Sequence, residues 1–561
     1  MKLIIKQYLS SLRERDELDA ILPDLLSQFG LNVFSRPGRG TRQDGVDVAA
    51  VGSLDAGKEK VYLLSIKQGD LTRNTWDGDA IQSLRPSLNE ILDSYIPNRL
   101  PSEHKNKDIV ICICIGGDIQ EPVRPLVEGY IKQNTRDNIT FEEWNGDRIA
   151  SLILSGFLRE DLLPQNARSQ LRKALALLDE PEASYKHFSV LIHSFFDKEN
   201  TINKDHCTII RQSNICLWIL YAWAREADNI ESAYLSSELT VLNAWELVKN
   251  HMFTTAKADR KIQEAFQSTL LIYHQINTYY QEKIMPHTKI LHAMSVAVRS
   301  SSNLDVNLKL FDVLGRLAIG GIWLIWYANN MNKEHKEIEK VLRNEVQNYM
   351  NNIKQLILCN PTLLLPVKDD QNIDIAIAVL FLSLDINNNS DIINWLSQIV
   401  DRSTFAYQIH SRYPCNLNNY NELLEHPRSK DEDYLKDVTQ GSVLFPMIAL
   451  WAGLLGDSKL YKSVQKLKRK HLNHSTFQLW YPDENSEQYI YANSDLHGAT
   501  LANVCINRSM NEFVTEAFTE CEDSNYFDTL SVVKKGLWPI ALIACRHYRY
   551  PIPLHLWKGI R

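Results

Sequence analysis

The run Asp108-Ile109-Val110-Ile111-Cys112-Ile113-Cys114-Ile115 constrains this chain more than any other stretch. Its apolar residues fall on both sides of an extended backbone, as in a strand buried on both faces of a sheet. Cys112 and Cys114 belong to that core rather than to a ligand set. The flanking sequence alternates helix and strand signals around this strand. A helix reads from Glu17 to Phe29, stopped by Gly30, with Pro23 inside it to kink or split it. Strands read at Leu31–Phe34, Val46–Val51 and Lys60–Lys67, the last two joined by a hairpin turn at Asp55–Lys58. Four elements then surround and follow the buried strand: helices at Asp79–Tyr95 and Glu121–Gln133, a strand at Ile139–Glu142 and a helix from Asp147. The order is α-β-β-β-α-β-α-β-α.

Within this α/β region a basic, glycine-rich turn, Gly38-Arg39-Gly40-Thr41-Arg42-Gln43-Asp44-Gly45, delivers Asp47 to the start of a strand. The next strand ends in Ser65-Ile66-Lys67-Gln68. Leu63, Ser65 and Lys67 share one strand face, and a lysine buried there is costly unless paired. Asp47, on the neighbouring strand, is the expected partner. An acid and a lysine on adjacent strands, with arginines alongside, suit phosphodiester cleavage: the acid holds a divalent cation and the lysine stabilises charge on the phosphate.

Gly40-Thr41-Arg42-Gln43-Asp44-Gly45-Val46-Asp47 and Ser65-Ile66-Lys67 resemble the PD-(D/E)xK nuclease superfamily, and within it the Mrr-like restriction endonucleases. Those enzymes carry Gly-x-x-x-Asp-Gly-x-Asp, then a strand with Glu-x-Lys or Gln-x-Lys. Ser65 departs from that pattern and is a weaker, neutral metal ligand. The resemblance covers residues 1–160 and implies a restriction-endonuclease-like fold and a DNA endonuclease using Mg²⁺ or Mn²⁺. It implies metal ligation by Asp47 and the Ile66 carbonyl, with help from Asp19 or Asp44. Asp19 matches the family's first-helix acid, Glu17 being second choice. Asp19 is equally a first-turn acid favouring the helix dipole, and Asp44 is equally turn chemistry before a glycine. Lys67 acts on the transition state, while Ser65 and Gln68 help arrange water. Arg36, Arg39, Arg42 and Arg73 grip the DNA backbone, contacts that carry no sequence information.

Beyond 164 the character changes. Amphipathic helical segments succeed one another, among them Asn214–Arg225, Tyr234–Phe253, Asp259–Gln281, Asn307–Asn330, Glu337–Leu358 and Asp374–Leu384. No fixed period emerges, so residues 165–561 read as a large all-α, irregular helical-repeat-like array with sub-boundaries near 360 and at 413–441. The polar stretch from Tyr413 to Gly441 reads as a long loop or insertion. Such an array senses a trigger, binds a protein partner or builds a homo-oligomer. Lys462–His471 is a basic helix able to meet DNA, or simply a solvated face.

A net charge of −7 over 561 residues confines any nucleic-acid face to a local patch. Nine cysteines, an odd number without a Cys-x-x-Cys, fit reduced cytoplasmic thiols. Met1–Lys6 is too short an apolar run for a signal peptide, and Leu317–Ala328 falls short of the roughly 20 residues a bilayer needs. His287, His292, His471 and His474 lack the companions of a metal site. The chain is thus expected to be a cytoplasmic nuclease without membrane attachment, with the nuclease and antiviral-defence vocabulary resting on the resemblance and its context. The alternative is a nuclease fold that binds nucleic acid or a protein partner without cutting; a third reading makes the helical array the active part.

Overall fold

The computed structural model describes residues 2–12, 14–36, 43–54, 57–78, 83–156, 165–197, 201, 205–254, 256–298, 300, 302–332, 334–426, 431–492, 499–523 and 526–560. The chain divides into two compact units, Met1–Ile276 and Asn277–Arg561.

The first unit is built on a five-stranded sheet: β1 (Asn32–Ser35), β2 (Val48–Gly52), β3 (Lys60–Lys67), β4 (Ile109–Ile115) and β5 (Ile139–Trp144), in that spatial order. The β1–β2 and β2–β3 pairs are antiparallel, whereas β3–β4 and β4–β5 are parallel. Every residue of β4 is buried, as its double-sided apolar pattern requires. One face of the sheet packs Val61, Leu63, Ile109, Ile111 and Ile113 against Trp76, Leu84, Leu88 and Ile91. Those last four come from helices Arg73–Asp77 and Leu84–Glu90 and from the π-helical stretch Ile91–Arg99 that prolongs the second of them. Expected helix residues 79–82 and turn residues 55–56 lie outside the described residues.

The expected helix over Glu17–Phe29 is two pieces, a π-helical turn Glu14–Leu18 and the α-helix Asp19–Gln28. Pro23 cannot donate to the carbonyl four residues back, at Asp19. The irregular geometry lies just before that residue. A further helix, Lys2–Ser11, precedes this region and packs on Gly146–Gly156.

The sequence break at 160–165 falls inside the first unit, because helices Gln165–Ala176, Pro181–Phe195, His206–Glu226 and Glu231–Val248 belong to the same compact body. A charged link joins His206–Glu226 to the sheet region, Arg211 approaching Asp24 at 3.9 Å, and Arg36 approaches Glu264 of the following helix at 3.3 Å.

The second unit is largely helical. At its centre Asn303–Asn330 contains the apolar run 317–328 and packs on Lys336–Cys359, Asn372–Leu382 and Pro539–Tyr548. Glycines permit the close approach: a methyl group at Gly321 would lie 2.2 Å from the Phe381 ring. Among the described residues no helix is long and apolar enough to cross a membrane.

This part is not wholly α. β6 (Gly441–Ser442), β7 (Thr476–Pro482) and β8 (Ala499–Asn503) form a small sheet. Phe477 and the whole run from Leu479 to Pro482 are buried along β7, so no alternation marks it as a strand. Nor is 413–441 one long loop: it forms short helices at Tyr420–Glu425 and Glu432–Asp437, anchored by buried Tyr413, Leu423 and His426, with 427–430 outside the described residues.

Candidate active site around Asp47

A tight turn aims Asp47. Asp44 and Gly45 both have positive φ, 46° and 80°. A Cβ at Gly45 would lie 2.0 Å from the Ser87 carbonyl oxygen, so backbone conformation and the approach of helix Leu84–Glu90 both demand glycine. Asp44 is buried and ion-paired with Arg99 at 2.5 Å. That pairing makes Asp44 a turn-fixing acid.

The chain then enters β2 through an irregularity. Val48 stands opposite Leu64 in the ladder, yet the Asp47 N–H also donates to the Leu64 carbonyl at 2.9 Å. Two residues facing one is the count of a β-bulge, which re-aims a side chain. Val46 and Ala49 consequently share one core cluster although strict alternation would separate them. The Asp47 carboxylate accepts the N–H of Ile66 at 2.7 Å. Its second oxygen has no hydrogen-bond partner among the described residues.

Lys67, the last residue of β3, is buried, and its ammonium donates to Glu14 at 3.0 Å. Glu14, rather than the expected Asp47, compensates this lysine, because Asp47 is turned to the β3 backbone. Burial pushes the Asp47 carboxyl up to about 6, against the lowering pull of the Ile66 N–H and Lys67; Glu14 also raises it, and exposed Arg15 lowers it. Asp47, Glu14, Arg15 and Lys67 therefore form one electrostatic group. Glu14 and Arg15 are absent from the sequence-based site. The available signal was the charged run Glu14-Arg15-Asp16-Glu17, but helical counting back from Gly30 crosses the π-turn and points to Glu17 or Asp19.

Asp19 is half-buried at the first position of Asp19–Gln28, outside the charges that bear most on Asp47. Ser65 is buried and its hydroxyl has no partner. Gln68 is exposed just beyond β3, and Arg73 is exposed at the start of the helix Arg73–Asp77. Arg36 is engaged by Glu264. Arg39 and Arg42 lie outside the described residues.

Oxygen donors suited to Mg²⁺ fall within a short stretch here: the Asp47 carboxylate, which meets the Ile66 N–H, the Ile66 carbonyl and, one residue before it, the Ser65 hydroxyl. A strand residue's N–H and C=O point to the same edge, so the Ile66 carbonyl is directed to the edge where its N–H meets Asp47. Among the described residues no group of three or more His, Cys, Asp or Glu gathers around one point. The set fits a cation that keeps several waters, as Mg²⁺ does, one of which could satisfy the orphaned Ser65 hydroxyl.

Comparison with known protein families, with curated proteins and with solved structures returns no match.

Proposed function

We propose that the first unit is a metal-dependent phosphodiesterase. More particularly, we read it as a DNA endonuclease of restriction-endonuclease-like fold, with Mg²⁺ or Mn²⁺ held by Asp47, the Ile66 carbonyl and water. The observation that carries this reading is the incompletely satisfied Asp47 carboxylate beside a lysine fixed by Glu14. The juxtaposition of Asp47, just before β2, with Lys67, at the end of the neighbouring β3, supports it.

When bound, the cation supplies a water of lowered pKa and neutralises phosphate charge. Asp47 must be ionised to hold it, so cation binding strengthens as pH rises through about 6. The Glu14 contact holds the Lys67 ammonium ready to stabilise charge developing on the phosphate. Arg15 and Arg73, both exposed, contact the backbone of the DNA. The helical second unit senses a trigger, binds a partner or assembles copies, an organisation resembling bacterial effectors of defence against phage.

Incubating the full chain with supercoiled plasmid and Mg²⁺ or Mn²⁺ tests the reading: nicking that disappears in Asp47→Asn supports it. Ser65 in place of an acid, with Glu14 occupied by Lys67, favours the second reading, a fold that binds without cutting. DNA retained in a gel with no nicking under either metal is the outcome for that alternative.

A further inference from the structure

From Ser458 to Pro482 the sequence contains no acid, yet it carries Lys459, Lys462, Lys466, Lys468, Arg469 and Lys470 in a chain of net charge −7. All six cations sit on the helix Ser458–His471. This helix is firmly built: Asp457 caps its start by accepting the Leu460 N–H at 2.7 Å, and Leu460, Tyr461, Val464 and Leu467 are buried. Lys468 serves the fold, donating to the carbonyls of Leu472 and Ser475 at 2.7 Å each.

The other five are exposed, and none is ion-paired with a described residue. Their spacing of i, i+3, i+7, i+10 and i+11 aligns them on one face. At 1.5 Å per residue they form a row about 16 Å long. Like charges so aligned repel one another, with no acid on their own helix to compensate them. A partner with a regular row of negative charge would relieve that cost. A membrane suits this helix less well, because an interfacial helix inserts an apolar face, and here that face is already buried in protein.

We propose that the outer face of Ser458–His471 docks a nucleic-acid backbone, with Lys459, Lys462, Lys466, Arg469 and Lys470 contacting phosphates without reading sequence. This surface belongs to the second unit and does not depend on the chemistry assigned to Asp47.

The test uses the full chain carrying Lys459→Gln, Lys462→Gln, Lys466→Gln and Lys470→Gln together, with a fluorescently labelled DNA duplex titrated in EDTA across a salt series. Each lost phosphate contact lowers the slope of log K against log salt by about 0.9, so the variant should lose a slope of about 3–4 and bind about tenfold or more weakly at low salt. Arginine at the same four positions should retain binding, and circular dichroism should match wild type in both variants. Unchanged slope and affinity in the glutamine variant would overturn the proposal. So would retained DNA affinity with lost binding to phosphatidylserine-rich vesicles, which would assign the face to a membrane. Because EDTA silences metal-dependent cutting, failure of the nuclease reading leaves this measurement intact.

Discussion

Half-buried Asp47 in the first unit and buried Asp369 in the second are acids that desolvation pushes to the same pKa, about 6. Their surroundings differ. Asp369 accepts the Ser442 hydroxyl at 2.5 Å and the Val443 N–H at 2.8 Å, and lies 3.4 Å from the Leu444 N, closing the start of the helix Leu444–Leu454. Asp47 accepts one N–H, that of Ile66. A third acid, Asp312, shows the opposite treatment: although burial pushes it up, Arg316, Lys309 and Arg546 at 2.8, 3.1 and 2.7 Å hold it well below the usual carboxylate range. Elevation of a carboxyl is therefore insufficient to mark a site in this protein. Asp24 and Asp374, also raised by burial, each leave one oxygen without a hydrogen bond but face arginines; of the three acids compared, Asp47 is the one with an oxygen free to meet a cation.

The largest expected effect separates the two acids by activity. Asp47→Asn and Lys67→Ala should each reduce DNA cleavage by about 10²-fold or more, measured as plasmid nicking, whereas Asp369→Asn should leave the rate per folded molecule unchanged. The contrast reverses for stability. Asp369→Asn places an amide N–H₂ among hydrogen-bond donors and should cost about 2–3 kcal/mol in denaturant unfolding of the second unit. Asp47→Asn should not destabilise the first unit at alkaline pH.

The pH dependence sharpens the comparison. A carboxyl whose folded pKa lies above its unfolded value loses stabilisation as pH rises from the ordinary carboxylate range, near 3.8, through about 6. Unfolding without divalent cation should show this decline, on the order of 3 kcal/mol from Asp47, and Asp47→Asn should remove its share. Both acids contribute with the same sign, but added Mg²⁺ should restore only the Asp47 share, and more at pH 8 than at pH 5. Smallest is Ser65→Ala: deleting an unsatisfied buried hydroxyl should change stability by about 1 kcal/mol or less, while slowing cleavage measurably if the hydroxyl orders a cation-bound water.

These contrasts also explain what could be read from residue order. β3 and β4 were legible because burial imposes long apolar runs, and Asp47 and Lys67 stood out as charges at the ends of such strands. The bulge at Asp47 was not legible, since it arises from how β2 meets Leu64 and leaves no alternation to read. Glu14 was hidden by the π-turn between it and Asp19–Gln28. Helices starting at His206 and Asn303 were read eight and four residues short at their N-termini. The association of Gln165–Val248 with the sheet unit rests on tertiary packing and charge links that no local pattern encodes.

The central claim is that Asp47 keeps its donor capacity for a hard divalent cation. Anomalous diffraction from crystals soaked in Mn²⁺ above pH 7 tests it most directly. The account predicts a peak in contact with the Asp47 carboxylate and the Ile66 carbonyl, absent in Asp47→Asn. Peaks confined to other acids, with none at Asp47, would contradict it.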